Sequence, residues 1–516
     1  MQLESATPVL RDARRGRTAT VVASVIAAAL LCVVVAGAFW WQRQSEPARR
    51  PDVVFLLIDT LRADRLSCYG YPRPTSPFLD SLAADGVLFE DVTCQFSWTR
   101  PSMVSLMEGR YLTAYRDAIE DGVPTLPDAF QRAGYRTVGM VANASVDAET
   151  GFARGFDHYD SGDLKASGPI YADFLRDVDE LSSSLWQPLA TALARDEHGA
   201  RPPLFLYLHV MDVHDPYDPY PEFDAALPNT SSAPVLPLDW QLETLRAKGA
   251  AAADPMAHDR ALGELAGERG LYDQGVRHTD QALQRLFGRL RELGVLDHTV
   301  LAIAADHGEG LWEHLTPSSD AELATLPPAE FFYQKHGASQ FQEVLATPLI
   351  VSGPGVERGV RVREAVENVD LFPTLLELCD LPRPNGLHGR SLAPVLRGDG
   401  EPASRPRDFV YSFGVHGNAL REVATGLKLI MPRGKALAAG HELQLYDLKS
   451  DPEERHDLAL ARPADVKRLV AAFLAWEQAY PTDASLRDRT VERLKAEQGE
   501  LLRGLGYTGL DVGGDQ

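Results

Sequence analysis

Asp59, Thr99, Asp306 and His307 are the residues through which this chain of 516 amino acids could do chemistry. Two carboxylates, a hydroxyl and one imidazole form a donor set that suits Mn²⁺ or Zn²⁺ better than Ca²⁺, which prefers an all-oxygen cage and is the alternative here. A cation held among them would lower the pKa of the Thr99 hydroxyl and turn it into a nucleophile. Asp59 closes the apolar run 53–58, and Asp306-His307 closes the run 300–305. Both runs have the continuous apolar character of buried parallel strands, whose carboxyl ends are where α/β sheets place their sites. Thr99 stands two residues before Pro101, and proline near the first helical turn is a start signal. A helix opening there would aim free N–H groups and its positive dipole end at the place of a phosphate or sulfate ester. A single aspartate of this kind is more often a cap or loop residue, so only the four together point to a site.

The elements that must position these residues alternate between strand and helix. Residues 76–85 have helical periodicity with Ser76 as N-cap and Pro77 at the first helical position, and 125–134 repeat the signature before a strand at 135–141. A second apolar strand covers 204–210, and an amphipathic helix covers 272–293. Between them, 219–269 is rich in Ala, Pro and Asp and is read as a surface excursion that contributes to the pocket wall. This order predicts a mostly parallel sheet with helices on both faces. From about residue 405 the texture changes to short strands at 408–413, 428–431 and 443–448, followed by helices at 462–478 and 491–505.

The first fifty residues carry an address. Arg11, Arg14, Arg15 and Arg17 precede an uncharged run to Trp41 that is long enough to cross a bilayer core of about 30 Å. The basic flank would stay in the cytoplasm, leaving the bulk of the chain outside it. The expected organisation is a basic tail (1–18), a transmembrane anchor (19–41), a linker (42–50), a catalytic domain (51–404), a C-terminal subdomain (405–480) and a final helix and tail (481–516). The net charge of −22 excludes general electrostatic attraction to nucleic acid. Once Cys32 is assigned to the anchor, Cys68, Cys94 and Cys379 remain. They show neither CxxC nor zinc-knuckle spacing, so they imply no disulfide framework and no cysteine metal site.

The stretch 97–110, Ser-Trp-Thr-Arg-Pro-Ser-Met-Val-Ser-Leu-Met-Glu-Gly-Arg, resembles the signature of the sulfatase family, in which a cysteine followed by x-Pro-x-Arg is oxidised to formylglycine. Thr99 stands at the cysteine and Met103 at the arginine, while Pro101, Ser102, Leu106, Gly109 and Arg110 stay in register. Further blocks are similar to family landmarks: the run from Asp59 through Gly70-Tyr71, Gly155-Phe156-Asp157, Asp306-His307-Gly308-Glu309, Thr347-Pro348 with Gly353-Pro354-Gly355, Asp370 to Leu375, Gly389 to Leu392, and Tyr446-Asp447-Leu448. The resemblance implies an alkaline-phosphatase-like α/β fold with a smaller C-terminal α+β subdomain. It also implies that His214 protonates the leaving oxygen and that Lys335 and His336 supply a cation for the non-bridging oxygens, with His336 fitting the bacterial pattern better. By the same resemblance His314 is a weaker candidate, and Arg62 and Asp64 are structural partners beside the site. Thr60 replaces a second aspartate, which makes a calcium site less secure.

A formylglycine hydrate expels sulfate by collapsing to the aldehyde, an exit that Thr99 lacks. Its ester must be cleared by water or an acceptor alcohol attacking phosphorus or sulfur, which leans the expected reaction toward phosphoryl transfer. The alternatives are a true sulfate-ester hydrolase that tolerates threonine and a catalytically silent binding protein on the same fold. The expected substrate is a small-molecule, glycan or lipid-head-group ester, with the membrane as partner only through the anchor. No residue pattern bears on oligomeric state.

Overall fold

A computed structural model describes residues 49–480 except 113–115, 117, 144, 163–175, 198, 216, 228–254, 316–331, 338, 400–406, 415–416 and 433–442; for 255–266, 312, 315 and 332–335 it describes the backbone alone. The expected tail 1–18, the anchor 19–41 and the helix 491–505 lie outside the described residues. Among the described residues no helix is long and apolar enough to cross a membrane.

The strands in chain order are β1 (Asp52–Ile58), β2 (Val87–Phe89), β3 (Arg136–Val141), β4 (His158–Asp160), β5 (Leu204–Val210), β6 (Thr299–Ala304), β7 (Gly310–Leu315), β8 (Phe332–Lys335), β9 (Leu349–Ser352) and β10 (Val360–Val362). All but the β7–β8 hairpin join one eight-stranded sheet in the order β10-β2-β9-β6-β1-β5-β3-β4. Only β9 runs against its neighbours; the pairs around β1 are parallel, as continuous apolar runs buried on both faces require. Along β1 the side chains alternate between two cores, Val53, Phe55 and Leu57 entering one and Val54, Leu56 and Ile58 the other.

The helices are α1 (Pro77–Ala84), α2 (Thr99–Glu108), α3 (Leu126–Arg132), α4 (Val178–Ala192), α5 (Pro255–Glu292), α6 (Leu371–Leu378) and α7 (Pro463–Ala479). Met103, Phe130, Leu375 and Phe473 of α2, α3, α6 and α7 pack into the first core. Leu79, Leu185 and Leu283 of α1, α4 and α5 pack into the second. The sheet is therefore covered on both faces, as the alternation of elements predicts.

Two expectations are corrected. Helix α5 starts at Pro255 rather than at 272. The Ala, Leu, Glu and Arg residues of 256–270 are strong helix formers, so this part of the expected surface excursion continues the helix instead. Ser76 does not cap α1 with its side chain; its hydroxyl donates to Asp80 at 2.9 Å. The free N–H groups of Phe78 and Leu79 instead reach the carboxylate of Asp280 on α5, at 3.0 and 2.8 Å.

Beyond the main sheet, β11 (Phe409–Phe413), β12 (Gly417–Glu422), β13 (Leu427–Pro432) and β14 (Gln444–Asp447) form a four-stranded antiparallel sheet in sequential order. Trp476 of α7 stacks on Phe413 with ring centroids 5.3 Å apart, and both belong to the first core. The small sheet thus shares apolar packing with the large one.

Candidate active site

The carboxyl ends of β1, β5 and β6 are adjacent in the sheet and deliver Asp59, His209 and Asp306-His307 to one place. Thr99 arrives from the first position of α2, after Trp98 in extended backbone. Thr60, which follows Asp59, is a β-branched residue held at φ 55°, a costly conformation that its surroundings must enforce. The Tyr272 hydroxyl donates to the Thr60 carbonyl at 2.8 Å, and the Thr60 N–H donates to Asp306 Oδ1 at 3.2 Å. The His307 N–H donates to the same oxygen at 2.9 Å, so Asp306 Oδ2 is the oxygen left over.

Asp59 is oriented in the same way. Its Oδ2 accepts from Asn143 Nδ2 at 2.7 Å and faces His209 Nε2 at 3.0 Å. His307 Nδ1 donates to the Gly308 carbonyl at 2.8 Å, which keeps the lone pair on Nε2. That Nε2 lies 3.2 Å from Thr99 Oγ1, 3.2 Å from Asp306 Oδ2 and 4.0 Å from Asp59 Oδ1. Asp59, Asp306 and His307 are fully buried and Thr99 is nearly so. Among the described residues, the buried Asp59 Oδ1 and Asp306 Oδ2 have no hydrogen-bond partner. Two buried carboxylate oxygens without donors, facing a neutral imidazole nitrogen and a hydroxyl, fit a divalent cation.

His209 also belongs to a metal-compatible group, since it offers a ligand atom within 4.8 Å of those of Asp59 and Asp306. Its Nε2 is engaged with Asp59, however, and its Nδ1 lies 3.0 Å from the Tyr207 hydroxyl. With both nitrogens engaged, it faces the Asp59 carboxylate in the way that partners outside a ligand set face the ligands of metal sites. His209 and Asn143 were missed from sequence. His209 is hidden inside an apolar strand run, whereas Asn143 stands just past the carboxyl end of β3, the signal that singled out Asp59.

The electrostatics follow from burial and these partners. Burial favours the neutral form of Asp59, yet its hydrogen bond to His209 holds it well below the usual carboxylate range. Burial and the charge of Asp59 push Asp306 up. Burial, assisted by the charge of His336, pushes His307 down to about 3, so the ring is neutral.

Above this cluster stand two more rings. His336 packs 4.6 Å from His307 and His214 packs 4.9 Å from His336, centroid to centroid. His336 Nδ1 lies 3.1 Å from Glu309 Oε1; burial opposes a charge on the ring, but Glu309 raises its pKa. His214 Nδ1 is 2.5 Å from the Asp215 carbonyl, so Nδ1 is the nitrogen that this contact occupies. Lys335 ends β8, and its side chain is outside the described residues. His314 stands apart from the site: it is buried, stacked on Phe341 at 3.5 Å and bonded to Glu343 at 2.6 Å. Met103 is a buried core residue, its sulfur 3.9 Å from the Tyr207 hydroxyl. Arg62 turns away from Thr99 toward Asp64, Glu313 and the Glu309 carbonyl.

The family model described as Sulfatase matches residues 51–381, and that described as N-sulphoglucosamine sulphohydrolase, C-terminal, matches residues 331–472. An N-acetylglucosamine-6-O-sulfatase of Bacteroides thetaiotaomicron is 22% identical over 492 residues, covering 80% of this chain and 84% of the relative. An ulvan-active sulfatase of Formosa agariphila is 24% identical over 388 residues, covering 70% and 68%. Among solved structures, a phosphonate monoester hydrolase from Silicibacter pomeroyi is similar in fold, with a TM-score of 0.61 at 19% identity and coverage of 85% of this chain and 97% of that one. Since the first family model spans more than half of its length, this chain belongs to the sulfatase family of ester hydrolases.

Proposed function

We propose that the chain is a metal-dependent hydrolase or transferase that cleaves phosphate or sulfate esters through Thr99, with phosphorus esters preferred. The observation that carries this is the 3.2 Å approach of Thr99 Oγ1 to His307 Nε2, in a cluster with two donor-free carboxylate oxygens. Asp59, Asp306, His307 and Thr99 would hold the cation, and Mn²⁺ or Zn²⁺ suits that donor set better than Ca²⁺. Bound there, the ion would supply Lewis acidity to the oxygens that face it.

Thr99 loses its hydroxyl proton to solvent and its oxygen attacks phosphorus. The bond from phosphorus to the leaving oxygen breaks as His214 gives that oxygen a proton from Nε2. His336, held by Glu309, faces the non-bridging oxygens as a cation, and Lys335 has the same role by resemblance. The N–H groups that open α2 face the same charge. Water or an acceptor alcohol then attacks phosphorus and gives its proton to His214 Nε2 while the bond from phosphorus to Thr99 Oγ1 breaks, and Thr99 takes back a proton from solvent. This second displacement must occur at the esterified centre because threonine has no aldehyde to collapse to, and that favours phosphorus.

A sulfate ester is the second reading, supported by relatives named as sulfatases. One similar solved structure holds its substrate, a glucosamine 2-N,6-O-disulfate, which makes a glycan ester a reasonable trial substrate. The catalytic domain is proposed to face away from the cytoplasm, on the strength of the basic flank and apolar run before residue 42.

Aryl phosphate, aryl phosphonate, phosphodiester and aryl sulfate substrates offered with each metal separate the readings. Faster turnover of a phosphorus ester, with a phosphothreonine at position 99 in acid-quenched enzyme, supports the first. Turnover of aryl sulfate alone supports the second. Thr99→Ala is expected to abolish turnover while leaving the circular dichroism spectrum unchanged; full activity in that variant would sink the assignment.

A further inference from the structure

A cavity of about 400 Å³ opens beside the catalytic centre, between the segment after β1, helix α5, strand β7 and the loop after β14. Its size falls within the roughly 300–1,000 Å³ range of small-molecule sites. The wall is charged, and most of the charges answer one another. Arg62 pairs with Asp64 and with Glu313 at 2.7 Å each, and Arg73 pairs with Asp273. Arg65 lies between Asp273 at 3.5 Å and Glu313 at 3.6 Å. The Asp64 side chain is 60% exposed and marks the mouth.

Arg269 is the exception. It comes from α5, is only 3% exposed, and donates from Nε to the Leu311 carbonyl at 2.7 Å. Its Nη1 and Nη2 are both buried and have no hydrogen-bond partner among the described residues. Burial lowers its pKa, although the charge of Glu313 acts against this, and a guanidinium stays protonated regardless. An unpaired buried cation is costly, and the free end of a guanidinium is a planar fork that matches two oxygens of a carboxylate, phosphate or sulfate.

We propose that this cavity is a second anion site, in which the Arg269 fork binds the oxyanion group of a small molecule whose body lies along Tyr71 and Pro72 toward the mouth. Arg62 forms the wall between it and the catalytic centre, since its Nη1 donates to the Glu309 carbonyl at 2.9 Å and the Glu309 carboxylate holds His336. The site is thus distinct from the place where Thr99 meets an ester.

Thermal unfolding of the full-length protein tests this without any turnover, so it remains readable if the ester-cleaving proposal fails. The probes are inorganic sulfate, inorganic phosphate and glucuronate, each against sodium chloride at matched ionic strength. The wild type is expected to show a saturable rise in Tm. A response to glucuronate alone would identify a carboxylate ligand, and a response to the inorganic ions a free tetrahedral anion. Arg269→Met should shrink the rise to whatever the catalytic centre binds by itself, and unfold no earlier than wild type in chloride, because it removes the unpaired charge. Arg269→Lys keeps the charge but loses the fork, and should raise the half-saturating concentration by about tenfold or more, the worth of one charge-assisted hydrogen bond. The absence of a saturable rise in wild type, or a rise that persists unchanged in Arg269→Met or Arg269→Lys, overturns the proposal.

Discussion

At the scale of single residues, Thr99 is set apart by its neighbours rather than by its own type. A threonine at a helix start is ordinary; one whose Oγ1 lies 3.2 Å from a neutral imidazole nitrogen, in a cluster where one oxygen of each of two buried carboxylates has no donor among the described residues, is not. His209 provides the sharper test of how the centre is built, because it could be taken for a ligand. If it orients Asp59, His209→Ala should weaken metal binding by about 10–100-fold, the usual effect of an outer-shell partner, while leaving one ion per chain. Titration against a chelator measures this, and His209→Gln, which can still donate to Asp59, should recover part of the affinity. Loss of the bound ion altogether in His209→Ala would make it a ligand instead. Asp59, Thr99, Asp306 and His307 were legible in sequence because strand ends and a proline-marked helix start are local patterns. His209 and Asn143 were not, because their partner Asp59 is remote in sequence and no local pattern distinguishes a histidine in a strand from a core histidine.

At the scale of elements, the position of Thr99 depends on how α2 begins and ends. The helix stops at Gly109, in the left-handed region at φ 62°, where a Cβ would come within 2.9 Å of Leu387 Cδ2 and Phe372 Cδ1. Gly109→Ala is therefore expected to destabilise the domain by at least the roughly 1–2 kcal/mol of a left-handed non-glycine residue, with the clash in addition. Urea unfolding should show a lower midpoint at unchanged m-value. Helix α1 teaches the complementary point about legibility. Its boundaries were readable from Pro77 and the apolar spacing, but its cap was not, because Asp280 of α5 supplies it across 200 residues of sequence.

At the scale of the whole molecule, two buried groups report on how the parts are held together. Lys428 on β13 and Glu454 pair at 2.7 Å with both side chains almost fully buried, and the Glu454 carbonyl lies 3.3 Å from His314 Nε2 on β7. Lys428→Met leaves Glu454 buried without its cation and should cost about 3–5 kcal/mol, whereas Lys428→Met with Glu454→Leu should recover most of it. Denaturant unfolding of the two variants measures the difference. Asp212, on the segment after β5, has a fully buried side chain, and burial pushes its pKa up to about 7 against an ordinary value of 3.8. The folded protein therefore keeps a proton that the unfolded chain releases, and this contribution to stability is lost as pH rises from about 4 through about 7. Asp212→Asn should flatten the fall of Tm across that window and unfold at a higher temperature than wild type at pH 8. An unchanged difference between the two Tm profiles from pH 4 to 8 would show that Asp212 does not carry this term.

By itself, the sequence determined that the chain forms a two-faced α/β sheet, that acidic and imidazole groups stand at strand ends, and that a threonine opens a helix at residue 99. Each of these depends on periodicity or on a few neighbouring residues, which local physics makes readable. The tertiary structure decided which oxygen of each carboxylate remains free, that His209 faces the Asp59 carboxylate while His307 keeps its lone pair, that Asp280 caps α1, and that Arg269 Nη1 and Nη2 have no hydrogen-bond partner among the described residues. These depend on contacts between segments far apart in the chain, and a one-dimensional pattern carries no information about which remote atom completes a hydrogen bond.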